Sequence, residues 1–213
     1  MEASKHYFGI TQRNKLIARG IEIRRRDAPN FIKEFQTELL YTLFDCKDSA
    51  EVLSKGYENA LLLVTRIIDR IMTGKIQLRD LVVSKLLRQD LTKYRSLFPH
   101  ISAALQLTET GKSLVRGDTI QYIYTNAAHK NPLRRVTSLD LISRRKKHDY
   151  DKEKYRDMLL EAAETILGYF GFCRTVYGDR KKNRKWWYEL KQERRKDIEI
   201  ERDVYGGEDV INP

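Results

Sequence analysis

Near its start the chain reads Lys5-His6-Tyr7-Phe8-Gly9-Ile10, breaks over Thr11 to Asn14, resumes at Leu16 and Ile17, and continues as Arg19-Gly20-Ile21-Glu22-Ile23-Arg24-Arg25-Arg26-Asp27. Tyr7, Phe8 and Ile10 favour extended backbone, and the return of apolar residues at Leu16, Ile17, Ile21 and Ile23 after a polar break predicts a β-hairpin with a longer loop. The second arm runs into three consecutive arginines. That charge is too concentrated for a core and suits a phosphate-rich ligand.

The rest of the composition agrees with such a ligand. Among 213 residues, 41 Lys and Arg face 30 Asp and Glu, for a formal net charge of +11 and a pI near 9.6, a balance that favours polyanions. The length allows one domain or two small ones and a core that needs no disulfide staples. Cys46 and Cys173 lie far apart with no Cys-x-x-Cys spacing, so neither a zinc ribbon nor a disulfide framework is indicated, and both are read as reduced, buried thiols. The longest apolar run, Ala60 to Val64, falls far short of the ~20 residues of a membrane span. A cytoplasmic protein with no membrane partner is expected.

Beyond the hairpin the periodicity turns helical. Pro29 can open a helix whose Phe31, Phe35, Leu39 and Leu43 recur every four residues. A second helix is predicted by Val52, Leu53, Tyr57, Ala60, Leu61, Val64, Ile67, Ile68 and Ile71, ending at Gly74. Leu78 to Tyr94 reads as a third, Pro99 interrupts, and Ile101 to Leu107 starts another. Thr119, Ile120, Tyr122, Ile123 and Tyr124 then read as a strand. Asn126 to Lys147 reads as a surface loop carrying Arg144, Arg145, Lys146 and Lys147, where a solvated charge run and DNA contact both stay open. From Asp151 a helix returns, with Tyr155, Leu159, Ala162, Ala163, Ile166, Leu167 and Phe170 on one face and Gly171 as its stop. The fold class is therefore α+β and mainly helical. After Cys173, basic residues surround Trp186, Trp187 and Tyr188. These aromatics could stack on unpaired bases, or Trp186 and Trp187 could anchor a protein partner; the protein interface is slightly favoured.

Familiar catalytic patterns are missing. The sequence has no glycine-rich phosphate loop, Gly-x-Ser-x-Gly elbow or His-Glu-x-x-His zinc pattern, and its four histidines are scattered. No catalytic or metal-ligating set is assigned. Asp140, Asp149 and Asp151 read as turn or N-cap residues.

Lys5-His6-Tyr7, Arg19-Gly20-Ile21-Glu22 and Arg25-Arg26-Asp27 together resemble, in order and spacing, the end of the palm in family B DNA polymerases. Asp90-Leu91 with Tyr94, Pro99-His100, Gly117 with Thr119 and Tyr122, and Tyr150-Asp151 with Tyr155 resemble landmarks of the archaeal-type thumb. Ala162, Glu164, Ile166-Leu167 and Phe170-Gly171 resemble that thumb's last helix. The resemblance covers residues 4 to 172.

The resemblance implies a palm end over residues 1–27, a helical thumb with a short β element over 28–173, and a basic, aromatic tail over 174–213. It implies that Lys5 enters the minor groove of a primer-template duplex with Tyr7 beside it, and that Arg25 and Arg26 hold backbone phosphates. Ser4 and His6 depart from the family's lysine-rich pattern. Arg144 and Arg145 join the expected DNA contacts, and Trp186 and Trp187 the expected partner contacts. The paired aspartates that place two magnesium ions in such polymerases precede this segment in the family and are absent here. Tyr177-Gly178-Asp179 imitates part of that motif, but Arg180 and Lys181 follow it. The expectation is thus the small subunit of a split polymerase, starting where a palm would be cut, inactive alone and completed by a large catalytic chain that binds magnesium. Direct sliding-clamp binding stays open. The alternatives are a non-catalytic basic nucleic-acid-binding module and a purely structural interaction protein.

Overall fold

A computed structural model describes residues 7–11, 13–142 and 149–177. The chain divides into a compact unit over Met1–Phe170 and a second over Gly171–Pro213. In the second, the described part holds the short helix α7 (Arg174–Tyr177) and Cys173, whose Sγ lies 3.0 Å from Thr175 Oγ1. All other elements belong to the first unit.

Strands β1 (Tyr7–Ile10) and β2 (Leu16–Arg19) pair antiparallel, with Tyr7 opposite Arg19 and Ile10 opposite Leu16. The connection closes through Thr11 N–H to Lys15 O and Asn14 N–H to Thr11 O, with Asn14 at φ 55°. Asparagine tolerates that left-handed backbone better than most residues. The predicted second arm is too long. Gly20 takes φ 79° and ends the strand, and Glu22–Arg24 wind into a 3-10 turn instead. Ile21 is fully buried, so its apolar character reflects an anchor beneath the turn rather than a strand face.

Three helices form the main core. α1 (Asn30–Phe44) buries Phe31, Phe35, Leu39 and Leu43, the predicted face. α3 (Tyr57–Met72) buries Leu61, Val64, Ile67 and Ile71. α6 (Lys152–Leu167) buries Tyr155, Leu159, Ala162, Ala163 and Ile166. Each helix packs on the other two. Burial of a Leu, Ile or Phe side chain is worth roughly 1.5 to 3 kcal/mol, so these stripes dominate the unit's stability. Ahead of α3, the short α2 (Ser49–Glu51) is capped by Asp48 and passes into a wide π turn over Val52–Gly56. Gly56 belongs there because a Cβ at that position would lie 2.4 Å from Leu43 O and 2.9 Å from Cys46 Sγ. Both cysteines are free and half-buried rather than buried.

Two further expectations are corrected. The helix expected over 78–94 is a 3-10 turn (Leu78–Leu81) and then strand β3 (Val83–Leu86). The loop expected over 126–147 contains β5 (Val136–Ser138) and the short α5 (Leu139–Ile142). Between them runs β4 (Thr119–Tyr124), as expected, giving an antiparallel sheet of order β3-β4-β5. A strand as apolar as β4 needs partners on both edges, and the β-branched Val82-Val83 and Val136-Thr137 pairs supply them. Helix α4 (Pro99–Glu109), with proline in its first turn, covers one sheet face through Ile101, Ala104 and Leu107 against Val83, Ile120, Tyr122 and Val136. Gln106 stitches helix to sheet, its amide donating to Leu133 O and Val136 O and accepting from Ser138 N–H. No helix among the described residues is long and apolar enough to cross a membrane.

Candidate nucleic-acid interface

The arginine run is held rigidly from below. Gln36 on α1 is fully buried. Its Oε1 accepts from Ile23 N–H at 3.0 Å, and its Nε2 donates to Ala162 O at 2.9 Å and to the Glu22 carboxylate. One side chain therefore ties the 3-10 turn to α1 and α6. Buried amides that satisfy several partners at once specify geometry, because losing any bond strands the others. Arg24 Nε also donates to Ala18 O at 3.2 Å, bracing the turn to β2.

Asp27 receives two cations. Arg25 approaches it through Nε and Nη2, each at 3.2 Å, and Lys85 Nζ on β3 donates to Oδ2. Burial pushes the Asp27 carboxyl upward, but the hydrogen bonds from Arg25 and Lys85 outweigh it and hold the pKa at about 2, below the ordinary 3.8. The same hydrogen bond to Asp27 raises the Arg25 pKa. Asp27 is thus a strut that joins the end of the hairpin segment to the three-stranded sheet. Beside it lies a cleft of about 240 Å³ whose lining includes Arg25, Lys85, Tyr122, Tyr124, Lys154 and Glu161. Lys154 Nζ sits 5.4 Å from the Tyr124 ring centroid. Burial pushes the Tyr122 and Tyr124 hydroxyls upward, so both stay protonated donors.

The tyrosine landmarks are structural. Tyr155 Oη donates to Leu81 O at 2.8 Å and accepts from Tyr124 N–H at 3.0 Å. Tyr150 Oη donates to Ile71 O at 2.8 Å. Asp151 caps α6, accepting from Lys154 N–H at 2.9 Å, and also accepts from Ala127 N–H. Together these residues fasten α6 to α3 and to β4.

Of the expected DNA-contacting residues, Tyr7 lies exposed on β1 (49% of its surface accessible). Arg25 is committed to Asp27, and Arg26 is exposed on the following turn, without an ionic partner among the described residues. Lys5, Arg144, Arg145, Trp186 and Trp187 fall outside the described residues, as does the rest of the Tyr177-Gly178-Asp179 sequence beyond Tyr177. Lys85, Lys154 and Gln36 were missed in the sequence. Lys85 was hidden by the helical reading of 78–94, although the β-branched pair Val82-Val83 was a signal for a strand. Gln36 had no signal, since a glutamine on an apolar helix face gains meaning only from what lies above it. Among the described residues no group of three or more His, Cys, Asp or Glu side chains could hold a metal ion, and Asp27 is already occupied by cations. This donor set does not fit a two-metal centre.

The chain is 30% identical over 171 residues to a DNA polymerase of Thermococcus aggregans, a match covering 80% of this chain and 9% of that protein. It is 32% identical over 152 residues to a DNA polymerase of Archaeoglobus fulgidus, covering 71% of this chain and 18% of the relative. It therefore spans less than a fifth of the length of either. The fold is similar to that of a solved family B DNA polymerase from Pyrobaculum calidifontis, with a TM-score of 0.63 at 23% identity, over 78% of this chain and 20% of that one. The family model described as DNA polymerase family B matches residues 1–169, and the chain belongs to that family.

Proposed function

We propose that this chain is the palm end and thumb of a split family B DNA polymerase, gripping the primer-template duplex while a separate large chain carries the catalytic carboxylates. The observation that carries this reading is the β1–β2 hairpin. It is a sheet of two strands, with Tyr7 and Ile17 both exposed. Two-stranded sheets are marginal alone, and an open edge is a template for strand addition from another chain. Such a partner would complete the palm and bring its carboxylates beside the hairpin. Magnesium, held by those carboxylates, would stabilise the attacking and leaving oxygens of nucleotidyl transfer.

The residues of this chain would act on the duplex. Minor-groove acceptors are shared by all correct base pairs, so a Lys5 ammonium there would sense pairing geometry without reading sequence. Arg26, presented by a turn that Gln36 and Asp27 hold in place, would meet a backbone phosphate, and Arg25 would contribute through the charge its pair with Asp27 leaves over. Phosphate contacts of this kind set register and are sequence-independent.

The test is primer extension by this chain alone and after addition of a family B polymerase chain that carries the paired palm aspartates. Extension only in the mixture is expected; extension by this chain alone would overturn the split-subunit reading. In the mixture, Lys5→Ala should weaken extension from a paired primer by roughly 1 to 3 kcal/mol with little change in single-strand binding. Equal loss on every nucleic acid would point instead to a bare binding module.

A further inference from the structure

The end of the three-stranded sheet carries apolar surface that the fold does not use. Leu86, Leu97, Phe98 and Val115 are all exposed, Phe98 to 53%. They sit on segments tied to one another. The turn at Val115–Asp118 closes onto β3 through Gly117 N–H to Leu87 O and Leu87 N–H to Asp118 O, both at 2.8 Å. Arg88 N–H donates to Tyr94 Oη at 2.9 Å. The Tyr94 ring meets His100 edge-on at 5.9 Å, and His100 lies parallel beneath Phe98, with centroids 6.0 Å apart and planes 15° from parallel.

Cations surround this stack. Arg88, Arg95 and Arg116 are exposed, and none is ion-paired among the described residues. The local acids are occupied elsewhere: Asp90 pairs with Lys93 at 2.9 Å, and Asp118 accepts from Val115 N–H at 2.8 Å. An exposed ring fixed flat by a second ring, with arginines on its flanks, has the chemistry of a base-stacking platform with phosphate contacts at its rim. A duplex end or groove cannot use such a ring without unstacking, whereas an unpaired base can.

We infer that Phe98, supported by His100 and flanked by Arg88, Arg95 and Arg116, is a stacking site for an unpaired nucleotide of single-stranded DNA. This rests on the nucleic-acid reading above but is separate from the duplex grip and from the 174–213 tail. Stacking supplies attraction that does not depend on sequence, and the arginines orient the strand by its backbone.

The experiment uses the full chain and a short oligo-dT strand carrying one 5-iododeoxyuridine, which crosslinks on irradiation to an aromatic ring stacked on it. Mapping of the crosslinked peptide is expected to place the base on Phe98. Phe98→Ala should abolish that crosslink and weaken single-strand binding about fivefold or more, with blunt-duplex binding changed less than about twofold. Phe98→Tyr should retain both. Because Phe98 is exposed, an unchanged thermal midpoint is the expected folding control. A crosslink confined to residues 174–213, or single-strand affinity that Phe98→Ala leaves unchanged, overturns this inference while leaving the duplex reading intact. Equal loss on single strand and duplex also overturns it. Absence of binding to any DNA, with or without the large chain, overturns both readings.

Discussion

The two sheets of this protein are built from similar residues and meet opposite fates. In β3-β4-β5, Val83, Ile120, Tyr122 and Val136 are buried under α4, and Tyr155 and Asp151 of α6 hold the β4 end from the far side. In β1–β2, Tyr7 and Ile17 stay exposed and Ala18 alone is buried. The hairpin touches the core through the Phe8 ring, 6.5 Å from Phe44 and 5.8 Å from Tyr169, and through the braced turn that follows. The three-stranded sheet is sufficient to itself. The hairpin has a fixed base and an open face, the arrangement of an element that waits for another surface.

Substitutions can break or sharpen that contrast. The largest effect is expected at Tyr155, where Ala removes a buried aromatic and orphans Leu81 O and Tyr124 N–H. Chemical denaturation should show a loss of about 3 to 5 kcal/mol, and a loss under 1 kcal/mol would mean that α6 does not hold the sheet. Gln36→Leu should cost about 1 to 3 kcal/mol by stranding Ile23 N–H and Ala162 O. Hydrogen exchange should quicken at Ile23 to Arg25 while β3-β4-β5 amides keep their protection.

Asp27 links the two regions, and its effect depends on pH. Its carboxyl titrates near 2 in the folded chain against an ordinary 3.8, so the unfolded chain binds the proton more readily. The stabilisation is therefore complete above about pH 4 and is lost as the pH falls towards 2. Asp27→Asn should cost about 1 kcal/mol at neutral pH, allowing for its partial solvent exposure, and should flatten that part of the acid denaturation profile. Tyr7→Ala is expected to move stability by no more than about 0.5 kcal/mol. Under the proposed function it should nevertheless slow primer extension in the presence of the large chain. A stability loss as large as that at Gln36 would show the hairpin face to be internal after all.

Much of this architecture was legible because helical periodicity reports burial directly. Phe31, Phe35, Leu39 and Leu43 predicted a face, and all four are buried; the α6 pattern from Tyr155 to Ile166 is equally faithful. The reading failed where an apolar run was short. Val82 to Leu87 contains enough leucine and lysine for a helix, and its strand identity came from β4, which lies over thirty residues later. Val136 to Ser138 was lost among the polar residues of 126–147, because three residues give no period to detect. The arginine run was visible as charge, whereas the division between a committed Arg25 and an open Arg26 was not.

The sequence by itself determined the basic character, the three long helices, the central strand and, through ordered motifs from Lys5 to Gly171, the polymerase family. Only the tertiary structure decided which of these motifs act as struts. Tyr150, Asp151 and Tyr155 are spent on backbone carbonyls and amides, Asp27 on two cations, and Gln36 on three segments at once. The reason is physical: a side chain's periodicity is set by its own element, but the partner that satisfies a buried polar group comes from a distant one. That partner exists only when the chain has folded.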